Sequence, residues 1–150
     1  MKTVFVNGRV AVVIRYWEQR GKVTEVGARV DSRKVEQGEG PGQRAGAAGG
    51  GGIWRADLLV NLDDGLECFH YHPEFKDDDV GERFDEPQLQ DDPRGWMEGR
   101  LRNLPEILED AGAGDLIASI DLDELDRAVP LMMAAIESAL ERIPTGASET

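Results

Sequence analysis

A chain of 150 residues with a formal net charge of -13 at pH 7 and a single cysteine has the length of one domain with its own core. The negative charge disfavours direct binding to DNA or RNA, because such binding needs clustered Lys and Arg to neutralise phosphates. One cysteine excludes an internal disulfide, no apolar run is long enough to span a bilayer, and polar residues interrupt the apolar start of the chain before a signal-length stretch develops. We therefore expect a cytoplasmic single domain over residues 1–150, with neither nucleic acid nor membrane as a partner.

The first 35 residues have the pattern of three antiparallel strands. Asn7-Gly8, a strong hairpin signal, separates strands predicted at 4–6 and 10–17. The second strand is apolar on both faces, which predicts a central strand that is covered on both sides. A third strand, over 23–35, alternates in polarity, and we expect water to contact its outer face, formed by Gly27, Arg29 and Asp31.

Glycine and alanine dominate residues 36–52, which predicts a flexible loop. The loop lacks the Gly-Lys-Ser or Gly-Lys-Thr sequence of a phosphate-binding loop. A second hairpin follows, with strands at 53–62 and 66–72 around Asp63-Asp64-Gly65. A two-residue turn places Asp57 on the same face as three residues of the last strand, and a three-residue turn reverses this assignment; the three residues are Cys68, His70 and His72.

The only two histidines, His70 and His72, stand two residues apart and therefore share one face of the predicted strand. Two histidines and one carboxylate are a known ligand set for Zn and non-haem Fe. Asp57, Glu74 and Asp85 are all candidates for the carboxylate, and the sequence does not choose among them. The pattern predicts a site for a divalent metal such as Zn or Fe, formed by both histidines with Asp57 or Glu74.

Two other roles for His70 and His72 stay open at this point. They suit the solvent face of a half-covered strand that ends at Pro73, and imidazole titrates near neutral pH, which suits acid–base chemistry or a pH switch. We interpret Cys68 as a small buried hydrophobe rather than a nucleophile. The lack of a complete catalytic set favours a binding protein over an enzyme.

Acidic residues dominate the segment from Glu74 to Asp92. The spacing of an EF-hand calcium loop is not met. A solvated acidic loop attracts cationic proteins and speeds their encounter. We therefore predict a contact surface for a basic protein partner, formed by Asp77, Asp78, Asp79 and Glu82.

Four short motifs between residues 54 and 96 resemble a compact domain found in actinobacterial proteins without an assigned function. The resemblance implies that these positions form one structural or functional unit, and it implies no activity. The abundance of Ala, Gly and Arg suits such a source. The motifs are Trp54-Arg55-Ala56-Asp57-Leu58, His70-Tyr71-His72-Pro73-x-Phe75, Gly81-x-Arg83-x-Asp85 and Asp92-Pro93-x-Gly95-Trp96.

The last third of the chain has helical periodicity. Asp92-Pro93 predicts a helix start, and Pro105 is expected to divide that helix before its end at Gly112. Asp121-x-x-Glu124 resembles a capping box ahead of a long apolar stripe. Pro130 is expected to kink or split the long helix. The stripe packs either on the sheet or on a second copy of the chain, and a disordered tail follows at 145–150.

These patterns predict an α+β fold, in which the N-terminal half forms an antiparallel sheet of four to five strands and two to four C-terminal helices pack on one face. The leading hypothesis for function is a small acidic interaction module, of the immunity or antitoxin kind, that binds a basic protein partner. The alternative is a metal-binding protein or metal-dependent enzyme that uses the strand-borne His-x-His pair.

Overall fold

The computed structural model describes residues 2–35, 51–75 and 79–144. Five antiparallel strands form one sheet, in which each strand pairs with its neighbours in the sequence. The prediction of an N-terminal antiparallel sheet is confirmed. The strands are β1 (Lys2–Asn7), β2 (Val10–Arg20), β3 (Thr24–Lys34), β4 (Gly52–Asn61) and β5 (Glu67–His72).

The predicted flexible segment at 36–52 is too long at its C-terminal end, because Gly52 begins β4 and pairs with Arg33 of β3. Residues 36–50 of this segment, and the predicted tail at 145–150, lie outside the described residues. Pairing with β3 gives the backbone of Gly52 its partners, so the strand extends into the end of the glycine run despite the low strand propensity of glycine.

The first turn lies one residue later than its sequence signal suggests. Asn7 pairs with Val10 as the last residue of β1, so Gly8 and Arg9 form the two-residue turn. Gly8 has a φ of 59°, the positive value that hairpin turns of this kind require at their first position. A side chain there is also excluded by space, since a Cβ atom on Gly8 would lie 2.1 Å from the carbonyl oxygen of Ser119.

Among the described residues, four α-helices and one 3-10 helix follow the sheet, in agreement with the predicted helical second half. The Asp92 side chain accepts a hydrogen bond from the Gly95 N–H at 3.0 Å and begins the second helix as predicted. The predicted division at Pro105 is also found, whereas the first short helix and the 3-10 helix were not predicted. The elements are α1 (Pro87–Asp91), α2 (Pro93–Arg102), α3 (Leu104–Asp110), a 3-10 helix (Gly114–Ser119) and α4 (Leu122–Leu140).

The long helix α4 contains Pro130 and remains one continuous helix. Its N-cap, Asp121, accepts a hydrogen bond from the Glu124 N–H at 3.1 Å. The reciprocal bond of a capping box comes from Asn7 instead of Glu124: Asn7 Oδ1 accepts from the Asp121 N–H, and Asn7 Nδ2 donates to the Asp121 carbonyl, both at 2.9 Å. Two hydrogen bonds therefore connect the first hairpin to the start of α4.

The helices cover one face of the sheet and enclose an apolar core between the helices and the sheet. Alternate residues of β2, β3 and β4 contribute to this face, and most of the predicted stripe of α4 packs against it. Trp54 stacks on Trp96 of α2 with ring centroids 6.2 Å apart. Leu122, the first residue of α4, is exposed. The core includes Val12, Ile14, Val30, Leu58, Leu101, Leu108, Val129, Met132 and Ile136.

The opposite side of the sheet carries charged residues, and we call it the polar face. It is formed by Arg15, Arg29, Asp31, Arg33, Arg55, Asp57, His70 and His72. The prediction that the outer face of β3 contacts water is wrong, because Asp31 is 1% and Arg29 is 7% exposed. The guanidinium of Arg29 lies 3.9 Å from the ring centroid of Trp17, and each aspartate binds an arginine, so the long side chains cover one another. The prediction that β2 is covered on both sides is confirmed over Val10–Ile14.

Within the described ranges, no helix is long and apolar enough to cross a membrane.

Candidate metal centre

The β4–β5 hairpin determines which side chains share the polar face. Asp57 lies directly opposite His70, and Leu59 lies opposite Cys68. The Asn61 N–H donates to the Leu66 carbonyl at 2.9 Å, so four residues separate the two paired strands. An even number of loop residues gives the same facing as the favoured two-residue turn. Asp57, His70 and His72 are therefore brought together, as that register predicts.

Asp57 is a buried carboxylate with three hydrogen-bond donors. Arg29 donates from Nε to Oδ1 at 2.8 Å and from Nη2 to Oδ2 at 3.2 Å, and His70 Nε2 lies 3.1 Å from Oδ2. Burial alone raises the pKa of Asp57, but the hydrogen bonds from His70 and Arg29 outweigh it and lower the pKa to about 2. Asp57 is therefore an anion at all pH values at which the protein is expected to work.

His72 has one ring nitrogen held by the backbone. Its Nδ1 lies 3.1 Å from the carbonyl oxygen of Glu82, and a carbonyl only accepts hydrogen bonds, so Nδ1 carries the proton. Burial, followed by the proximity of His70, lowers the pKa of His72. The ring is therefore neutral near pH 7, and its Nε2 presents a lone pair.

His70 lies between a carboxylate and a thiol. Its Nε2 contacts Asp57, and its Nδ1 lies 3.6 Å from Cys68 Sγ. Burial is the largest cause that raises the pKa of the half-buried Cys68 thiol, and Glu25 adds to it despite a hydrogen bond from Arg83 to the sulfur. The thiol therefore stays protonated near neutral pH, but its partial burial and its contacts with His70 and Arg83 differ from the small buried hydrophobe that the sequence predicted.

The rings of His70 and His72 meet edge to face with centroids 5.1 Å apart. One ligand atom from each of His70, His72 and Asp57 lies within 4.8 Å of the others, and all three residues are buried. Glu74, the other predicted carboxylate, is exposed and is not part of this group. Asp85 is exposed as well and accepts a hydrogen bond from Gln90.

The acidic segment predicted to contact a partner is described only in part. Asp77 and Asp78 lie outside the described residues, whereas Asp79 and Glu82 are exposed, as a contact surface requires. Asp79 Oδ1 accepts a hydrogen bond from the Gly81 N–H at 2.9 Å. The backbone of Glu82 belongs to the histidine site through its carbonyl. The basic partner itself stays a prediction.

The arginines that surround this site were not predicted from the sequence. Arg29 lies opposite Asp57, and Asp31 lies opposite Arg55, which donates to it at 2.6 and 3.3 Å. The signal was present in the sequence, because β3 contains Arg29-x-Asp31 and β4 contains Arg55-x-Asp57. Two Arg-x-Asp segments become complementary when their strands run antiparallel, since each arginine then faces an aspartate.

No family model, no curated protein and no solved structure matches this chain. The resemblance to an actinobacterial domain therefore stays a prediction.

Proposed function

We propose that this protein binds a divalent metal ion, Zn²⁺ or Fe²⁺, through Asp57, His70 and His72. The observation that supports the proposal is the convergence of three buried ligand atoms, all within 4.8 Å of one another. A buried cluster of this composition is the ligand set of many Zn and non-haem Fe sites.

The distances fit an ion after small side-chain adjustments. Two ligands at about 2.0–2.1 Å from a tetrahedral Zn²⁺ lie roughly 3.3 Å apart, and His70 Nε2 already lies 3.1 Å from Asp57 Oδ2. The His72 ring has to approach by a further ångström or so, because the whole group spans 4.8 Å. A side-chain rotation of this size leaves the backbone of β5 in place.

The protonation states also suit a metal. Metal ligands have to be deprotonated, and Asp57 is an anion while His72 has a free Nε2. Asp57 Oδ2 accepts from Arg29 Nη2, and its second lone pair becomes free for an ion when His70 Nε2 loses its proton. His70 can supply Nε2 if its proton moves to Nδ1, where the Cys68 sulfur lies 3.6 Å away as a weak acceptor.

The surrounding contacts resemble the outer shell of known metal sites, in which other groups orient the ligands. The Glu82 carbonyl orients the His72 ring, and Arg29 orients the Asp57 carboxylate through two hydrogen bonds. Three protein ligands leave a fourth position of a tetrahedral ion open for water or a substrate, which is typical of catalytic rather than structural zinc.

Elemental analysis by mass spectrometry tests the proposal. Untagged protein purified without chelators is compared with the His70→Ala/His72→Ala double variant, and Glu74→Gln serves as the matched control because this exposed carboxylate is outside the group. We expect about one equivalent of Zn or Fe in the wild type and in the control, and loss of more than about nine-tenths of it in the double variant.

A second readout separates metal loss from unfolding. Co²⁺ added to metal-free protein should give the visible absorption of a tetrahedral site in the wild type and in Glu74→Gln. It should not do so in Asp57→Asn, whose circular dichroism reports whether the sheet is intact. Metal-free wild type that also fails to take up Zn²⁺, Fe²⁺ or Co²⁺ would refute the proposal.

A further inference from the structure

The polar face contains a second cluster of charges, which lies towards the β1 edge of the sheet, whereas the histidines lie on β5 at the other edge. A cavity of about 210 Å³ opens there above β1, β2 and β3. Two arginines, a lysine and one aspartate form its polar lining, and Val13 forms the apolar remainder. The residues are Lys2, Val13, Arg15, Asp31 and Arg33.

Arg15 has a hydrogen-bond donor in this cavity that no described residue uses. Its Nε is buried and has no hydrogen-bond partner, and its guanidinium lies 4.8 Å from the ring centroid of Trp17. The nearest carboxylate oxygen, Asp31 Oδ2, lies 3.9 Å from Arg15 Nη2, which is beyond hydrogen-bond distance. The Arg15 side chain is nevertheless 31% exposed, so a ligand in the cavity can reach it.

Asp31 cannot balance this charge alone, because it already accepts two hydrogen bonds from Arg55 and also faces Arg33 at 3.9 Å. The polar face as described has four arginines against two aspartates. Burial is the largest cause that lowers the pKa of Arg15; Asp31 opposes it, and repulsion from the other three arginines of the polar face adds to it. Such an excess of arginines over aspartates is unexpected in a chain of net charge -13.

We propose that the cavity binds the phosphate group of a small anionic molecule, with Arg15 as the principal contact and Lys2 as a second cation. Guanidinium groups match phosphate through paired N–H donors, and a lysine adds a mobile point charge. The volume is sufficient for a phosphate group and part of the molecule that carries it. A dianionic phosphate also compensates more of the local excess charge than a carboxylate does.

This site is distinct from the proposed metal centre. Neighbouring strands lie about 4.8 Å apart, so Arg15 on β2 and His70 on β5 are separated by roughly 14 Å across three strand spacings. A single phosphate ion cannot contact both. The two proposals can therefore fail independently, provided that phosphate binding is measured on metal-free protein.

The test is an NMR chemical-shift titration of metal-free protein with inorganic phosphate, with NaCl adjusted to hold the ionic strength constant. We expect saturable shifts confined to the backbone amides of residues 2–3, 13–15 and 31–33, with a Kd of about 1 mM or lower. Arg15→Gln should weaken binding about tenfold, because it removes a charge-assisted contact while retaining most of the side-chain length.

Arg20→Gln is the matched control, because Arg20 lies on the same strand but is 75% exposed and pairs with Glu18 outside the cavity. Its Kd should equal that of the wild type, and so should the Kd of the His70→Ala/His72→Ala variant. Lys2→Gln, at the exposed start of β1, should weaken phosphate binding about threefold. If Arg15→Gln does not fold, this second variant tests the proposal in its place. Shifts that do not saturate, an equal loss in Arg20→Gln, or acetate binding as tight as phosphate binding would overturn the proposal.

Discussion

Both faces of the sheet contain fully buried residues, but these residues are stabilised in different ways. Leu58 and Asp57 are neighbours in β4 and are 0% and 1% exposed, yet Leu58 faces the helices and Asp57 faces Arg29 and His70. Apolar burial is non-directional and tolerates small rearrangements. A buried carboxylate is stable only while its donors are in place. Substitutions on the apolar face should therefore lower the free energy of unfolding in proportion to the apolar atoms that they remove. On the polar face, the loss should depend on whether a substitution leaves a buried charge without its partner.

The largest expected effect comes from removing one partner on the polar face. Arg29→Met retains a long side chain over Trp17 but leaves the Asp57 carboxylate buried without its two arginine hydrogen bonds. We expect a loss of about 4 kcal/mol in the free energy of unfolding, measured by urea denaturation. Arg20→Met, at an exposed arginine of the neighbouring strand, should cost less than about 0.5 kcal/mol. A loss below about 1 kcal/mol for Arg29→Met would show that water enters the polar face and solvates Asp57.

The apolar face should be slightly less sensitive to one substitution. Leu58→Ala removes three buried carbon atoms from the core and leaves a cavity, which we expect to cost about 3 kcal/mol in the same urea experiment. Leu131→Ala, at a leucine of α4 that is 62% exposed, is the matched control and should change stability by less than about 0.5 kcal/mol. Equal losses for the two leucine variants would mean that the core around Leu58 is less tightly packed than the structure indicates.

Replacing both partners on the polar face should reverse most of the damage. Arg29→Met combined with Asp57→Leu removes the buried charge together with its donor, so we expect stability to return to within about 1 kcal/mol of the wild type. The double variant should nevertheless lose the proposed metal, because Asp57 is one of the three proposed ligands. If the double variant is as unstable as Arg29→Met alone, the lost stability comes from His70. The double variant removes the Asp57 carboxylate, which is the hydrogen-bond partner of His70 Nε2.

The strands, two helix starts and the shared face of His70 and His72 followed from sequence, because each depends on local rules: alternation, turn residues and caps. Asn7 and Gly8 marked the first hairpin within one residue, and Asp92 and Asp121 marked helix starts. The burial of the outer face of β3 did not follow from the sequence of β3, because it depends on the side chains of the paired strand β4. Arg29 and Asp31 read as solvent-facing until β4 supplies Asp57 and Arg55 in the complementary order. The choice of Asp57 over Glu74 likewise required the register of the hairpin.

The smallest predicted effect concerns a polar group at the edge of the apolar face. Asn7→Ala removes both hydrogen bonds to Asp121, which connect the first hairpin to the start of α4. We expect a loss of about 1 kcal/mol in urea denaturation, because the Asp121 N–H and carbonyl groups can bind water when Asn7 is absent. Thr3→Ala, on the same face of β1 and without such bonds, should cost less. A loss for Asn7→Ala as large as that for Arg29→Met would contradict the distinction between the faces. It would mean that removing a neutral contact accessible to water costs as much free energy of unfolding as removing the partner of a buried charge.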